Sequence, residues 1–219
     1  MPVPVDKLPT EKQHFTYADY YAWDDGKRWE LINGQAYLME PGPIWEHQGI
    51  SGNLFGQLYV FLRDKPEIAF HAPFDVRLNA AVGDDTVLQP DLVVICDRSK
   101  LDRTGCKGAP DMVIEILSPS TAGRDRVQKF NLYQEAGVRE YWIVDPDSKT
   151  VSAHILENGK YATAAYGEED TAPVHVLEGC QITLAVRMSS TFLLSKVRRI
   201  LHTTVRSFLH CIVSRILPC

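Results

Sequence analysis

Two apolar runs set the strongest constraint on how this 219-residue chain can fold. Leu92-Val93-Val94-Ile95-Cys96 and Met112-Val113-Ile114-Glu115-Ile116-Leu117 place apolar side chains on both faces. Each therefore reads as a strand covered on both sides within a layered α/β domain. The second run holds one carboxylate. By strand alternation Glu115 shares a face with Val113 and Leu117, and a carboxylate there is costly unless it is paired or protonated. Asp91 opens the first run directly after Pro90. If the two strands are neighbours, Asp91 and Glu115 converge on one point, where their oxygens suit a hard divalent cation. Separate salt bridges, to Arg124 or Arg126 for example, would satisfy the same residues without a metal.

Helix and strand patterns alternate around these runs. Thr16 suits the N-cap of a short helix through Tyr17, Tyr20 and Trp23, which Gly26 ends. Residues 29–32 and 35–39 flank Asn33-Gly34, a hairpin signal because Asn-Gly accepts positive φ at both turn positions. Ile50, Leu54, Leu58, Phe61 and Leu62 recur at helical spacing. Residues 68–78 read as extended. Ser118-Pro119-Ser120-Thr121 caps a helix through Val127, Phe130 and Tyr133 that Gly137 closes. Residues 140–146 read as another buried strand, with Tyr141 and Trp142 as core rather than base-stacking residues. Residues 150–156, 160–166 and 174–177 read as an antiparallel meander. This order predicts a mixed α/β layer fold with one central sheet flanked by helices. Lys129, one turn beyond Asp125, is either a surface partner of that aspartate or turns its ammonium toward the carboxylates. There it would orient an attacking water and counter phosphate charge.

The formal charge of -5, from 23 Lys and Arg against 28 Asp and Glu, averages two unlike parts. Residues 187–219 hold Arg187, Lys196, Arg198, Arg199, Arg206 and Arg215 and no acidic residue, while residues 1–186 carry a net -11. An acidic body excludes a nonspecific coat for nucleic acid, so any phosphate contact must come from a local basic surface. Arg98, Lys100, Arg103 and Lys107, with Arg124 and Arg126 further on, are the candidates for binding DNA. Asp97, Asp102 and Asp125 are interleaved among them. In the tail, Val197, Leu201, Val205, Phe208, Ile212 and Ile216 form an apolar helical stripe. It suits docking on the body or a second subunit, contact with an anionic membrane surface, or an altered reading frame near 185–190. The longest uncharged stretch, residues 47–62, is too short and polar for a transmembrane helix. Five cysteines without C-x-x-C spacing, behind a start with no signal pattern, lead us to expect a reducing cytoplasm.

Taken in order, Pro90-Asp91-Leu92-Val93-Val94, residues 113–121, Asp125-Arg126, Lys129, Tyr133 and residues 137–146 closely resemble the Uma-type family. These are bacterial restriction-endonuclease-like proteins of the PD-(D/E)XK nuclease superfamily. Glu30-Leu31-Ile32 before Gly34, and His47 on the next helix, resemble that family too. The resemblance implies a restriction-endonuclease-like nuclease domain in residues 1–186 and leaves 187–219 as a basic amphipathic helical extension. It implies that Asp91 and Glu115 ligate Mg²⁺, with Mn²⁺ as a substitute, helped by the backbone carbonyl of Ile116. DNA is the implied substrate, cut to a 5′-phosphate and a 3′-hydroxyl. The superfamily's lysine stands two residues after the glutamate, and here that position is Leu117. The resemblance moves its role to Lys129. Glu30 and His47 are implied to line the site, although His47 shares a helical face with Ile50 and Leu54 and by itself reads as a core histidine. Glu30 could instead be paired across its hairpin. A homodimer is a further expectation. Two other functions stay open: a nuclease-fold binding protein without turnover, given Leu117, and a membrane-peripheral protein held by the basic helix.

Overall fold

A computed structural model of the chain describes residues 14–39, 44–118 and 123–184, without the side chains of Arg124 and Asp125. The expectations for Pro119-Ser120-Thr121 and the basic tail lie outside those residues. The chain begins with α1 (Tyr17–Tyr21), the hairpin β1 (Trp29–Ile32) and β2 (Gln35–Leu38), and α2 (Trp45–Phe61). Short strands follow: β3 (Ile68–His71), β4 (Asp75–Arg77), β5 (Val87–Leu88), β6 (Leu92–Ile95), β7 (Gly105–Lys107) and β8 (Met112–Ile116). A π-helical segment (Arg124–Lys129) runs into α3 (Phe130–Ala136). The described chain ends with β9 (Glu140–Asp145), β10 (Thr150–Glu157), β11 (Lys160–Gly167), β12 (Thr171–Pro173) and β13 (Gln181–Thr183).

The central mixed sheet has the order β11-β10-β9-β8-β6-β3. Within it β8 and β9 are parallel, and the crossover between them carries the π-helical segment and α3. A second sheet, β2-β1-β5-β4-β7, was not foreseen. Residues 68–78, predicted as one extended run, break at Ala72-Pro73, because proline has no N–H for a ladder. Its first part, β3, joins the mixed sheet, and β4 joins the other. A second correction falls on 174–177. That segment is a turn, in which Val174 N–H donates to the Cys180 carbonyl at 3.0 Å, and β12 pairs with β13 on either side of it. The first helix ends at Tyr21, before the Trp23 and Gly26 expected to complete it, but other local signals hold. Asn33 and Gly34 take φ of 50° and 78°, as a primed turn requires. Gly137, at φ 85°, closes α3. Val127 is exposed, because the wider π-helical segment breaks the α-helical phase on which its place in the stripe depended.

One buried cluster joins the two sheets. Ile32, Val76 and Leu88 from one meet Val93, Val113, Tyr141 and Ile143 from the other, with Tyr133 of α3 among them. Tyr141 and Trp142 are both fully buried, as core residues; each large apolar side chain so placed contributes on the order of 2 kcal/mol. Along α2, Ile50, Leu54 and Leu58 are buried, and the helix packs on β3 and β8. That packing fixes which way His47, one turn earlier, points.

His154 on β10 is buried beside Phe130, Tyr141 and Tyr161. Its Nδ1 lies 2.7 Å from Thr163 Oγ1, and its Nε2 has no hydrogen-bond partner among the described residues. Burial lowers its pKa from 6.5 to about 4. Between those values the unfolded chain binds a proton that the folded chain does not. Stability is therefore complete above the unfolded pKa and falls as pH drops toward the folded one, by up to about 3 kcal/mol. Urea unfolding at about pH 7 and about pH 5 should show this loss, and His154→Phe should remove it. An equal loss in both proteins would place its origin elsewhere.

Candidate active site

The antiparallel register of β6 and β8 pairs Leu92 with Ile114 and Val93 with Val113. One step earlier on β6, Asp91 falls opposite Glu115, where facing side chains share a face with Cβ atoms about 5 Å apart. Asp91 Oδ2 accepts from the Ile116 N–H at 2.8 Å. His47 Nε2 lies 3.2 Å from that same carboxylate oxygen and 3.2 Å from the Ile116 carbonyl oxygen. As the Nε2–H tautomer it donates toward both. The helical face that predicted a core histidine thus delivers His47 to the carboxylates, because the strand under that face is β8.

Lys129 Nζ lies 2.9 Å from Glu115 Oε1 and 3.0 Å from Glu30 Oε1. All three side chains are at most 5% exposed, so Lys129 is a buried link between β1 of one sheet and β8 of the other, not a surface residue. Glu30 is not paired across its hairpin, where its partner is Tyr37. Its Oε1 instead also accepts from the Gln89 N–H at 3.1 Å. One turn beyond Lys129, the Tyr133 hydroxyl donates to Glu115 Oε1 at 2.9 Å. Burial, reinforced by the Glu115 charge, pushes the Tyr133 phenol well above its ordinary value, which keeps it a donor.

These contacts bring Glu30, His47, Asp91, Glu115, Ile116 and Lys129 into one neighbourhood. The sequence placed Tyr133 on the helix and in the motif that carries the family resemblance, without a role at the site; its spacing of four from Lys129 was the available signal. The Gln89 backbone donor had no such signal. Leu117, where the superfamily carries its lysine, is buried in the apolar cluster.

The basic residues divide differently. Arg98 Nε donates to the Pro66 carbonyl at 2.6 Å and Lys100 Nζ to the Ala109 carbonyl at 2.8 Å. Both follow the C-terminal end of β6, whereas Asp91 precedes its N-terminal end, so a strand rising ~3.3 Å per residue separates them from the carboxylates. Arg126 pairs with Asp145 at 2.6 Å. Arg103 and Lys107 are exposed.

Among the described residues no three or more His, Cys, Asp and Glu side chains form a ready-made metal cage. The oxygen donors that the β6–β8 register brings closest are the Asp91 and Glu115 carboxylates, with the Ile116 carbonyl next along β8. They are oxygen throughout, the donor type that Mg²⁺ and Mn²⁺ prefer over thiolate.

A model of the Uma2 family, described as "Putative restriction endonuclease", matches residues 17–186. The chain belongs to this family. The Uma2 match ends directly before Arg187, the first of the six basic residues of the tail. A crystal structure from Anabaena variabilis, titled a "putative nuclease belonging to DUF820", is similar with a TM-score of 0.60 and 20% identity, covering 74% of this chain and 90% of that one. That likeness shows the fold: the α/β restriction-endonuclease-like core expected of a Uma2 chain, here with the second sheet beside it. An uncharacterized protein of Synechocystis sp. is 28% identical over 156 residues, 69% of this chain and 80% of its own length. No helix among the described residues of this Uma2 chain is long and apolar enough to cross a membrane.

Proposed function

We propose that this chain is a Mg²⁺-dependent DNA endonuclease of the PD-(D/E)XK type. The observation that carries the reading is the β6–β8 register, which continued by one residue sets Asp91 opposite Glu115, together with the Ile116 N–H donating to Asp91 and His47 reaching both Asp91 and the Ile116 carbonyl. Asp91, Glu115 and the Ile116 carbonyl would hold Mg²⁺ or Mn²⁺. When bound, the ion supplies Lewis-acid polarisation of the scissile phosphate and acidifies a water.

The chain's own residues position and balance charge. Lys129 and Tyr133 both donate to Glu115 Oε1 and so hold that carboxylate in one orientation. His47 does the same for Asp91 and for the Ile116 carbonyl. Fixing the donors before the substrate arrives removes reorganisation from the reaction itself. The Lys129 ammonium also keeps positive charge beside the site, where negative charge builds up on the phosphate. The restriction-endonuclease description of the family supports DNA as the substrate. We take residues 187–219 as a separate extension and the setting as cytoplasmic. The free thiols Cys96, Cys106 and Cys180 support a reducing compartment.

Supercoiled plasmid incubated with the full chain tests the reading. Nicking is expected with Mg²⁺ or Mn²⁺, lost on adding a chelator and restored by excess metal. Tight DNA binding with no nicking under either metal would favour a binding protein without turnover.

A further inference from the structure

An open cavity of about 450 Å³ has Phe70, Phe74, Asp75, Gln89, Leu101 and Arg103 in its lining. Two backbone links tie it to the candidate active site. Gln89 N–H donates to Glu30, and Ala72 N–H, two residues before Phe74, donates to the Asp91 carbonyl at 2.9 Å. Phe70 and Phe74 stack with ring centroids 4.4 Å apart and planes within 5°, so the lining includes a flat aromatic pair.

The polar part is rigidly held. Asp75 Oδ1 accepts from the Tyr20 hydroxyl at 3.0 Å and from Gln89 Nε2 at 2.9 Å. Gln89 is itself fixed, since its Oε1 accepts from Arg28 at 2.8 and 3.1 Å. Asp75 Oδ2 has no hydrogen-bond partner among the described residues, and neither does the exposed guanidinium of Arg103. Gly105, at φ +150°, lets β7 press against this strand, because a Cβ there would overlap the Asp75 carbonyl oxygen. The lining thus combines an aromatic face, the Asp75 carboxylate with acceptor capacity to spare, a second carboxylate, Asp102, already held by Arg77, Thr104 and the Gly105 N–H, and the cation Arg103. Proteins that take a base out of its stack read it with that combination: stacking on the ring face, hydrogen bonds at the edge and a basic group for the backbone.

We propose that this cavity holds one unstacked base of the nucleic-acid substrate and selects for an exocyclic amine. The amine of adenine, cytosine or guanine donates to Asp75 Oδ2, the ring lies on the Phe74 wall, and Arg103 meets the neighbouring phosphate. Thymine has no exocyclic amine. This inference rests on the nuclease reading for its ligand, yet binding can be measured without any cleavage.

The test titrates the full chain, without metal, with the four deoxynucleoside monophosphates and follows binding by NMR. The wild type should bind the three amino-bearing nucleotides on the order of 10-fold more tightly than thymidine monophosphate. Asp75→Asn can keep Oδ1 as the acceptor for Tyr20 and Gln89 while placing a donor at the Oδ2 position, so the preference should reverse toward thymidine monophosphate. Phe74→Ala should weaken all four alike. Equal binding of all four by the wild type, no binding of any, or a preference that Asp75→Asn leaves unchanged would overturn the assignment. The wild-type measurement decides even if a variant fails to fold. Plasmid nicking without this selectivity removes the base pocket and leaves the nuclease; amine-selective binding without nicking does the reverse.

Discussion

Glu115→Gln and Asp91→Ala should each lower plasmid nicking on the order of 10³-fold, since either change removes a carboxylate proposed to hold the ion and with it about 4 kcal/mol of transition-state stabilisation. Glutamine is the sharper choice at 115. Its amide oxygen can still accept from Lys129 and Tyr133, the two donors on Glu115 Oε1, so the loss should come with a nearly unchanged melting temperature. Asp91→Ala takes away the acceptor of the Ile116 N–H and should cost about 1–2 kcal/mol of stability as well. Initial nicking rates at saturating Mg²⁺, beside thermal melts of the same preparations, separate the two effects. Full nicking by either folded variant would take that carboxylate out of the chemistry.

Lys129→Met should act chiefly on stability. Its ammonium lies within 3.0 Å of two carboxylates that are at most 5% exposed, and a buried ion pair that loses one partner costs about 3–5 kcal/mol. For a chain of this size that is a fall of about 10 °C in melting temperature. Adding Glu30→Gln should recover part of the loss, because the two carboxylates no longer face each other without the cation. A double-mutant cycle by urea unfolding reads the coupling directly. If Lys129→Met melts within about 2 °C of the wild type, the lysine is not the link between the sheets that the geometry describes.

The parts of this architecture that could be read from residues alone are those fixed by local rules. Asn33-Gly34 turns because both positions accept positive φ, and the runs around Val93 and Val113 are strands because they are apolar on both faces. Asp91 and Glu115 were legible as a pair only on the condition that β6 and β8 adjoin, and pairing between strands eighteen or more residues apart is a tertiary fact. The division of residues 68–78 between two sheets had one local mark, Pro73, which signals a break without saying where each half goes. Lys129 was ambiguous for a related reason. Its spacing from Asp125 fits a surface pair, and only the packing of α3 into the cluster around Tyr133 turns the ammonium inward. Arg98 and Lys100 sit close in sequence to the Glu115 strand, but strand direction carries them to its other end.

The two-sheet contact at Lys129 also bears on how activity can be traced among relatives. On the nuclease reading proposed above, a descendant that stopped cutting DNA would still need this lysine to keep β1 against β8, so finding it elsewhere says little about catalysis. Asp91 stands before the first residue of β6 with its side chain 19% exposed, and its loss leaves the tie between the sheets intact. Drift in a lineage that has lost cleavage would therefore reach Asp91 early and Lys129 late. An intact lysine beside a missing aspartate would mark a protein that has kept the shape and given up the reaction.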